Sequence, residues 1–287
     1  DTTFFIKPKR DDIELHYLFQ ALKQLNLGAL RGGSGVPGLN RNDAYQLNIP
    51  LPPLTIQQQI VSECEAVDQE ISAAQTSMAN ALATVDRKIE AIYASTAALL
   101  EIDKIALAVQ YGLSEKMNEG GVGYKIFRMN EIIGGRMFDG GAMKCADISA
   151  KEFAKYRLNR GDVLFNRTNS IEHVGKTGLF DLEGDYCFAS YLVRVVPDTA
   201  KVLPLFLTLM MNSKAFQQEA KGKASKSINQ ANINATIMRN IKVPVPALPV
   251  QTQVVTEVLA LEQTIAEAQA VIAAAPARKQ AIMQHYL

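Results

Sequence analysis

The stretch Ile49-Pro50-Leu51-Pro52-Pro53-Leu54-Thr55-Ile56-Gln57-Gln58-Gln59-Ile60-Val61 decides the fold. A proline-rich brake gives way to a helix start, and the chain then runs to Tyr111 without another Pro or Gly. Ile60, Cys64, Val67, Ile71, Ala74, Met78, Ala81 and Val85 are spaced alternately by four and three, the seam of a long helix packed lengthwise on another helix. The seam continues through Ile89, Ile92, Thr96 and Leu99. The step from Ala81 through Val85 to Ile89 is a stutter that locally relaxes supercoiling. A helix from Thr55 to Leu99 would be roughly 65–70 Å long at ~1.5 Å per residue. A rod of that length needs a partner helix.

The partner lies in the same chain. Val243-Pro244-Val245-Pro246-Ala247-Leu248 repeats the brake, and Pro249-Val250-Gln251-Thr252-Gln253-Val254-Val255 repeats the helix start. An offset of 194 carries Ile60 to Val254, Cys64 to Val258, Val67 to Leu261, Ile71 to Ile265, Ala74 to Ala268, Met78 to Ile272 and Ala81 to Ala275. It also carries Leu39-Asn40 to Ile233-Asn234 and Glu63 to Glu257. An internal repeat outranks every other signal in a sequence. By the same offset Asp1 falls at Val195, inside the second unit, so the first unit is expected to lack roughly 90 residues and the sequence to begin inside a domain.

Composition sets bounds on this picture. The 287 residues suffice for two domains, or for one domain plus long helices, and a hydrophobic content of 48% is ample for a core. The net charge of +1 hides a partition. Residues 105–247 carry nineteen Lys and Arg against thirteen Asp and Glu, whereas 49–104 carry three against eight. A basic globular region on acidic helices points to an anionic partner for the former. Cys64, Cys145 and Cys187 are scattered without a CxxC pair, which argues against a disulfide scaffold or a structural zinc and fits a reducing cytoplasm. No membrane span, signal peptide or metal-ligand set is expected.

Along the chain, Thr2–Ile6 reads as a strand. Asp11 and Asp12 can cap a helix through His16–Leu22, with Gly28 closing it, and Arg31–Gly38 reads as a Gly/Ser loop suited to phosphate. A short helix follows Asn40-Arg41. Residues 105–247 read as one mixed α/β domain. Its strands are expected at Tyr124–Met129, Asp162–Asn166, Gly178–Phe180 and Cys187–Val196, with Ile105–Val109 either a helix end or a strand. A capping box at Ser149 and Glu152 starts a helix over Ala150–Tyr156, and Leu203–Met211 and Ser213–Ala220 are helical. Lys221–Lys226 reads as a basic loop, the counterpart of Arg31–Gly35. The second long helix is expected to break near Pro276, because an interior proline costs about 3 kcal/mol, and to resume as a short helix to Tyr286.

The densest chemistry is Asn166-Arg167-Thr168-Asn169-Ser170, leaving the end of a buried strand, followed by His173-Val174-Gly175-Lys176-Thr177. Arg can fork to guanine or phosphate and Asn can pair with adenine. The Gly175-Lys176-Thr177 run lacks the first glycine of a phosphate-binding loop, with Ser170 in its place. Phe165, Phe180 and Phe188 read as core. No nucleophile–base pair is evident.

Three sets of residues together resemble the specificity (S) subunits of type I restriction-modification systems. They are Gly161–Ser170 with Val174–Thr177, the segment Phe188-Ala189-Ser190-Tyr191-Leu192-Val193-Arg194, and the two brakes followed by Gln-rich helix starts. The resemblance implies an α+β fold, with mixed α/β target-recognition domains attached to a long antiparallel two-helix coiled coil. It implies an incomplete first recognition domain at 1–48, spacer helices at 49–104 and 248–287, and a complete second recognition domain at 105–247. Each recognition domain would read half of a bipartite double-stranded DNA site. The coiled coil, through Ile60, Val67, Ile71, Met78, Val85, Val254, Leu261, Ile265 and Ile272, would set the spacing and dock adenine-N6 methyltransferase (M) subunits, with the restriction/translocase (R) subunit joining later. The chain itself would catalyse nothing and hold no cofactor, S-adenosylmethionine being expected on the M subunit. Residues expected near DNA are Arg31, Ser34, Asn40, Arg41, Lys116, Arg128, Asn166, Arg167, Thr168, Asn169, Ser170, Lys176, Lys223, Ser225 and Lys226. The alternatives are the recognition part of a fused methyltransferase-nuclease and a coiled-coil scaffold with a non-DNA ligand.

Overall fold

The computed structural model describes residues 5–25, 27–32, 38–96, 99–227 and 230–287, with the backbone alone at 29, 31, 32, 226 and 227. The helices in chain order are α1 (Leu15–Gln24), α2 (Arg41–Ala44), α3 (Leu54–Ser95), α4 (Ile102–Ile105), α5 (Ala150–Tyr156), α6 (Pro204–Asn212), α7 (Lys214–Gly222), α8 (Ala235–Arg239) and α9 (Leu248–Tyr286). The chain divides into two compact units, 1–82 with 262–287, and 83–261. The long helices α3 and α9 each contribute to both.

In the first unit, α3 and α9 run antiparallel. Arg278 forks onto the Glu70 carboxylate, Lys279 reaches Asp68 at 2.5 Å, and the Tyr286 hydroxyl donates to Glu63 at 2.5 Å. The seam is buried or half-buried along its length: Ile60 and Cys64 are fully buried, Val67, Ala74 and Ala81 nearly so, and Ile71 and Met78 half-buried. On the facing helix Ala268, Ala275 and Met283 are buried, and Ile265 and Ile272 half-buried. Fully burying a side chain such as Ile60 is worth about 1.5–3 kcal/mol. In the second unit the same antiparallel sense recurs, with Lys88 2.5 Å from Glu257. There Ile89, Ile92, Val254 and Val258 enter the main core, with half-buried Val85 against it, while Leu261 is half-buried.

Pro276 does not break α9, which continues to Tyr286. The lost backbone hydrogen bond lies next to Ala275, which is 2% exposed, and just before the two ion pairs of Arg278 and Lys279, so tertiary contacts hold the helix across the defect. By length and composition α9 is apolar enough to cross a membrane, with a mean hydropathy of 1.3 over its most apolar window. The first long helix ends at Ser95 rather than Leu99, because Leu99–Glu101 is a strand antiparallel to Lys242–Pro244.

Glu14, not Asp11 or Asp12, caps α1: its carboxylate accepts from the Tyr17 amide at 2.5 Å. The helix closes at Leu25, and Gly28 lies in a 3-10 turn over Leu27–Leu30. Phe5 and Ile6 are not in a strand, and the rest of the expected Thr2–Ile6 strand lies outside the described residues. Asn40 caps α2 by accepting from the Asn42 amide at 3.0 Å, and Asn234 caps α8 by accepting from Ile237 at 2.8 Å. The repeat is therefore built twice down to its caps.

The second unit carries a six-stranded sheet. Its order is Ala106–Tyr111, Leu192–Pro197, Val163–Asn166, Thr177–Leu179, Arg136–Met137 and Ile132–Ile133. Ile105–Val109 thus divides between the end of α4 and the first of these strands. The central strand, Val163–Asn166, is completely buried on both faces. A four-stranded sheet joins Tyr186–Phe188, Tyr124–Phe127, Cys145–Ala146 and Met117–Asn118. The expected single strand Cys187–Val196 is two strands in different sheets, because the chain turns at Ala189–Tyr191. The helix expected from the Ser149 cap spans Ala150–Tyr156, with the Ser149 hydroxyl accepting from the Glu152 amide at 3.2 Å. Phe165, Phe180 and Phe188 are core residues, each at most 1% exposed.

Candidate nucleic-acid interface

The buried central strand delivers the polar run. At its end Asn166 is fully buried and acts as an anchor. Its side-chain amide donates to the His173 carbonyl at 2.8 Å, its backbone amide donates to Lys176 O at 2.8 Å, and its carbonyl accepts from Gly175 at 2.7 Å. These bonds pin the turn 170–176. Gly175 has φ +91° and stands so close to Gln217 that a Cβ would lie 2.6 Å from its Oε1. Gln217 donates to the Gly175 carbonyl at 2.8 Å, and Lys221 Nζ donates to the Glu172 carbonyl at 3.1 Å, so α7 buttresses the turn.

Beyond Asn166 the chain is held on two sides. On one side the Arg167 amide donates to Tyr191 O at 2.9 Å. The Arg167 guanidinium donates to the Ser190 carbonyl at 3.2 Å and lies 5.0 Å over the Tyr111 ring. On the other, Thr168–Asn169 pairs with Asn232 and Ala231 of a hairpin formed by Ser225–Ser227 and Gln230–Asn232. The Thr168 hydroxyl lies 3.3 Å from Asn232 Oδ1. The expected basic loop Lys221–Lys226 is instead the last turn of α7 leading into a strand, which Gln230–Asn232 separates from the Thr168–Asn169 motif in the same small sheet.

These constraints leave an open groove of about 550 Å³ lined by Arg128, Met129, Asn130, Thr168, Asn169, Ser170, Tyr191 and Gln230. Among the described residues its polar wall is amide, hydroxyl, phenol and guanidinium, with no carboxylate. Arg128 is oriented by Glu131, which accepts from its guanidinium at 2.5 Å and from its backbone amide at 2.7 Å. Tyr191 presents its ring to solvent and is 49% exposed. Many basic residues of this unit are paired with carboxylates, among them Lys223 with Glu219 at 2.5 Å, Lys125 with Asp139 at 2.6 Å and Arg194 with the buried Asp162 at 3.5 Å. Lys116, Arg167, Lys176 and Lys221 have no carboxylate partner among the described residues.

The structure brings together Arg128, Thr168, Asn169 and Ser170, and places Asn166 beneath them without exposed surface. Arg167 is part-buried and committed to Ser190 and Tyr111. Lys176 is half-buried in the pinned turn, Lys223 and Ser225 are exposed around the hairpin's start, and Lys116 is exposed. Arg31 lies in the two-residue hairpin with Gly38–Leu39, Arg41 is exposed 6.0 Å from the Tyr45 ring, and Asn40 is spent on a cap; these belong to the other unit. Ser34 and the side chains of Arg31 and Lys226 lie outside the described residues. Tyr191, Asn130 and Gln230 complete the groove and were not singled out from sequence. Tyr191 alone carried a signal there, within the Phe188–Arg194 segment.

The chain belongs to the type I restriction modification DNA specificity domain family, whose model matches residues 2–89 and again 113–273. It is 30% identical over 155 residues to the putative type I restriction enzyme MjaX specificity subunit of Methanocaldococcus jannaschii, a match covering 54% of this chain and 36% of that one. It is 22% identical over 264 residues to the type I restriction enzyme EcoKI specificity subunit of Escherichia coli, covering 85% of this chain and 56% of that one. The chain thus spans about a third to a little over half the length of these relatives. Similar folds are the HsdS subunit of Thermoanaerobacter tengcongensis (TM-score 0.51, 20% identity, covering 98% of this chain and 72% of that one) and the type I S subunit of M. genitalium (TM-score 0.60, 14% identity, 96% and 73%). The fold class is the α+β one expected, with a mixed α/β lobe on antiparallel long helices.

Proposed function

We propose that this chain is a DNA sequence-recognition subunit of a type I restriction-modification complex and carries no catalytic centre. Residues 105–247 form a complete recognition domain that reads one half of a bipartite duplex site, and 1–48 form the end of another. The helices of 49–104 and 248–287 are the spacer, and their outer faces dock adenine-N6 methyltransferase subunits that bring S-adenosylmethionine; a restriction/translocase subunit joins that assembly. The setting is the cytoplasm.

The observation that carries the proposal is the groove at Thr168–Ser170, free of carboxylates among the described residues. It is walled by groups that hydrogen-bond base edges or phosphates, and the turn that follows Ser170 carries Lys176 and receives Lys221, neither with a carboxylate partner among the described residues. Lys176, Lys221, Lys223 and Lys226 supply phosphate contacts that position the domain. Asn169, Gln230 and Arg128 have the donor and acceptor chemistry for base edges, and Tyr191 offers an exposed ring for a sugar or base. Buried Asn166 acts indirectly, by fixing the turn.

The test is selection from a randomised duplex pool by the purified chain with its methyltransferase subunit supplied, followed by sequencing of retained DNA. Enrichment of a short fixed motif is expected. Recovery of the unselected pool at low salt, or no retention at all, would overturn the proposal.

A further inference from the structure

The turn that leaves the groove is fixed from behind by the corner between α6 and α7. The two helices meet at Ser213, which closes the first and caps the second. The Ser213 hydroxyl donates to the Met210 carbonyl at 2.6 Å and accepts from the Phe216 amide at 3.2 Å. Two side chains of this corner reach the chain that follows Ser170. Asn212 pairs with Thr177 as a peptide group would: its Oδ1 accepts from the Thr177 amide at 3.1 Å, and its Nδ2 donates to the Thr177 carbonyl at 2.8 Å. Gln217 Nε2 donates to the Gly175 carbonyl at 2.8 Å and to the Met211 carbonyl at 2.7 Å. Lys221, one turn further along the same face of α7, donates to the Glu172 carbonyl. Together these bonds hold the backbone at 172, 175 and 177.

The other side of the corner grips α3. Lys214 Nζ lies 2.8 Å from Asp86 and 3.7 Å from Glu90. The Tyr93 hydroxyl lies 3.1 Å from Ser213 Oγ and 3.4 Å from the Met210 carbonyl. Asp86, Glu90 and Tyr93 fall on one stripe of α3, and this part of the helix belongs to the same compact unit as the corner. The lysine pairs are exposed and worth little by themselves, so the link rests on Tyr93, half-buried against the main core.

Neither Asn212 nor Gln217 lines the groove. Ser170 does, and it opens the turn: its carbonyl accepts from the His173 amide at 3.1 Å and the Val174 amide at 2.9 Å. A shift of the turn therefore moves Ser170 and, through the bonds of Asn166 to His173 and Lys176, the strand end that presents Thr168 and Asn169. A binding group has to be held within about 0.5 Å of its working position by the residues behind it.

We infer that Asn212 and Gln217 are positioning residues for sequence recognition. They lock the 170–177 turn and, through Ser213 and Tyr93, refer the groove to α3. The inference rests on the DNA-reading role proposed above and adds to it residues outside the groove that set its discrimination.

The experiment compares binding of the chain, with its methyltransferase subunit supplied, to the selected duplex and to a scrambled one, with hydrogen exchange of the chain read in parallel. The variants are Gln217→Leu, Asn212→Ala and Tyr93→Phe. In the first two, discrimination between the duplexes is expected to fall about tenfold, with binding to the scrambled duplex changed by less than about twofold and exchange at 175–177 quickened. Tyr93→Phe, which removes a hydroxyl and no apolar bulk, is expected to lower discrimination about threefold. A merely structural role would reduce the folded protein and weaken binding to both duplexes alike; that result would overturn the inference, as would full discrimination beside quickened exchange. Unchanged exchange at 175–177 in both Gln217→Leu and Asn212→Ala would overturn the lock itself, whatever the chain binds. Full discrimination in Tyr93→Phe beside a loss in the other two would overturn the link to α3. Failure of the unaltered chain to select any duplex falls on the proposed function, and the exchange measurement decides the lock independently of it.

Discussion

Gln57 and Gln251 stand 194 residues apart and make matching sets of three hydrogen bonds. Gln57 donates to Asp12 O and Pro52 O at 2.8 Å each and accepts from the Glu14 amide at 2.8 Å. Gln251 donates to Lys201 O and Pro246 O at 2.8 Å each and accepts from the Leu203 amide at 2.9 Å. Both side chains are buried, and each ties the first turn of a long helix to its brake and to the entrance of a preceding helix, α1 or α6. Replacing Gln251 with Leu leaves one amide and two carbonyls without partners. The expected loss is roughly 1–3 kcal/mol, read by urea denaturation. Gln57→Leu should behave likewise, and the double variant should approach the sum of the two. A loss below about 0.5 kcal/mol in both would show that the clamp has no structural weight.

Pro276 is a defect that α9 carries without breaking. Pro276→Ala restores a helical donor and a better helix former. It is expected to stabilise the chain by roughly 1–3 kcal/mol, seen as a higher urea midpoint with unchanged slope. A lower midpoint would show that the surrounding helix depends on a local distortion at the proline.

The exposed ion pairs along α3 and α9 set an acid limit. The hydrogen bond from Arg278 holds the Glu70 carboxyl below its ordinary value of 4.5, and that from Lys88 does the same for Glu257. A depressed carboxyl stabilises the fold fully above its unfolded value and loses that contribution as pH falls through the lower folded one. Helical signal is therefore expected to decline below about pH 4.5, and Glu70→Gln should flatten that decline slightly, less so at high salt. An identical acid profile in Glu70→Gln would assign the decline to other groups.

Under the proposed function, phosphate-contacting and base-reading residues separate by experiment. Lys176→Ala should weaken binding to every duplex alike and flatten the dependence of log K on log salt by about one unit. Asn169→Ala or Gln230→Ala should instead cost about 1–3 kcal/mol on the selected motif alone and relax preference at one position. Uniform weakening by all three would move Asn169 and Gln230 to the phosphate class.

The cysteines are expected to be silent in the native state. Cys64, Cys145 and Cys187 are all buried, and burial pushes the Cys187 thiol up to about 12. Iodoacetamide at pH 8 should label none of the three until the chain is unfolded, as read by mass spectrometry. Rapid labelling of Cys187 in the native chain would place it at an accessible edge instead.

The heptad seam, the brakes and the 194-residue offset were legible because helix pairing and internal duplication are periodic, and periodicity survives in a one-dimensional record. The offset also matched Asn40 with Asn234, but that both cap helices is seen only in the structure. Other local readings failed where a tertiary contact outweighed a local preference. Pro276 is held helical by the packing and ion pairs around it, Leu99 is drawn from a helix into a strand by Lys242–Pro244, and Glu14 displaces the aspartates as cap of α1. At the groove, the run Thr168-Asn169-Ser170 stood out by its density, whereas Gln230 and Asn130 are single polar residues with no pattern around them.

By itself the sequence determined a duplicated scaffold of two long helices carrying a basic α/β lobe, because apolar spacing dictates which faces must be buried. Only the tertiary structure decided which polar side chains share a surface. Strand pairing between Thr168–Asn169 and Asn232–Ala231 joins segments more than sixty residues apart, and the burial of Asn166 removes from that surface a residue that composition alone would have placed on it. Such long-range pairing is fixed by the hydrogen-bonding needs of the whole sheet, which no local stretch encodes.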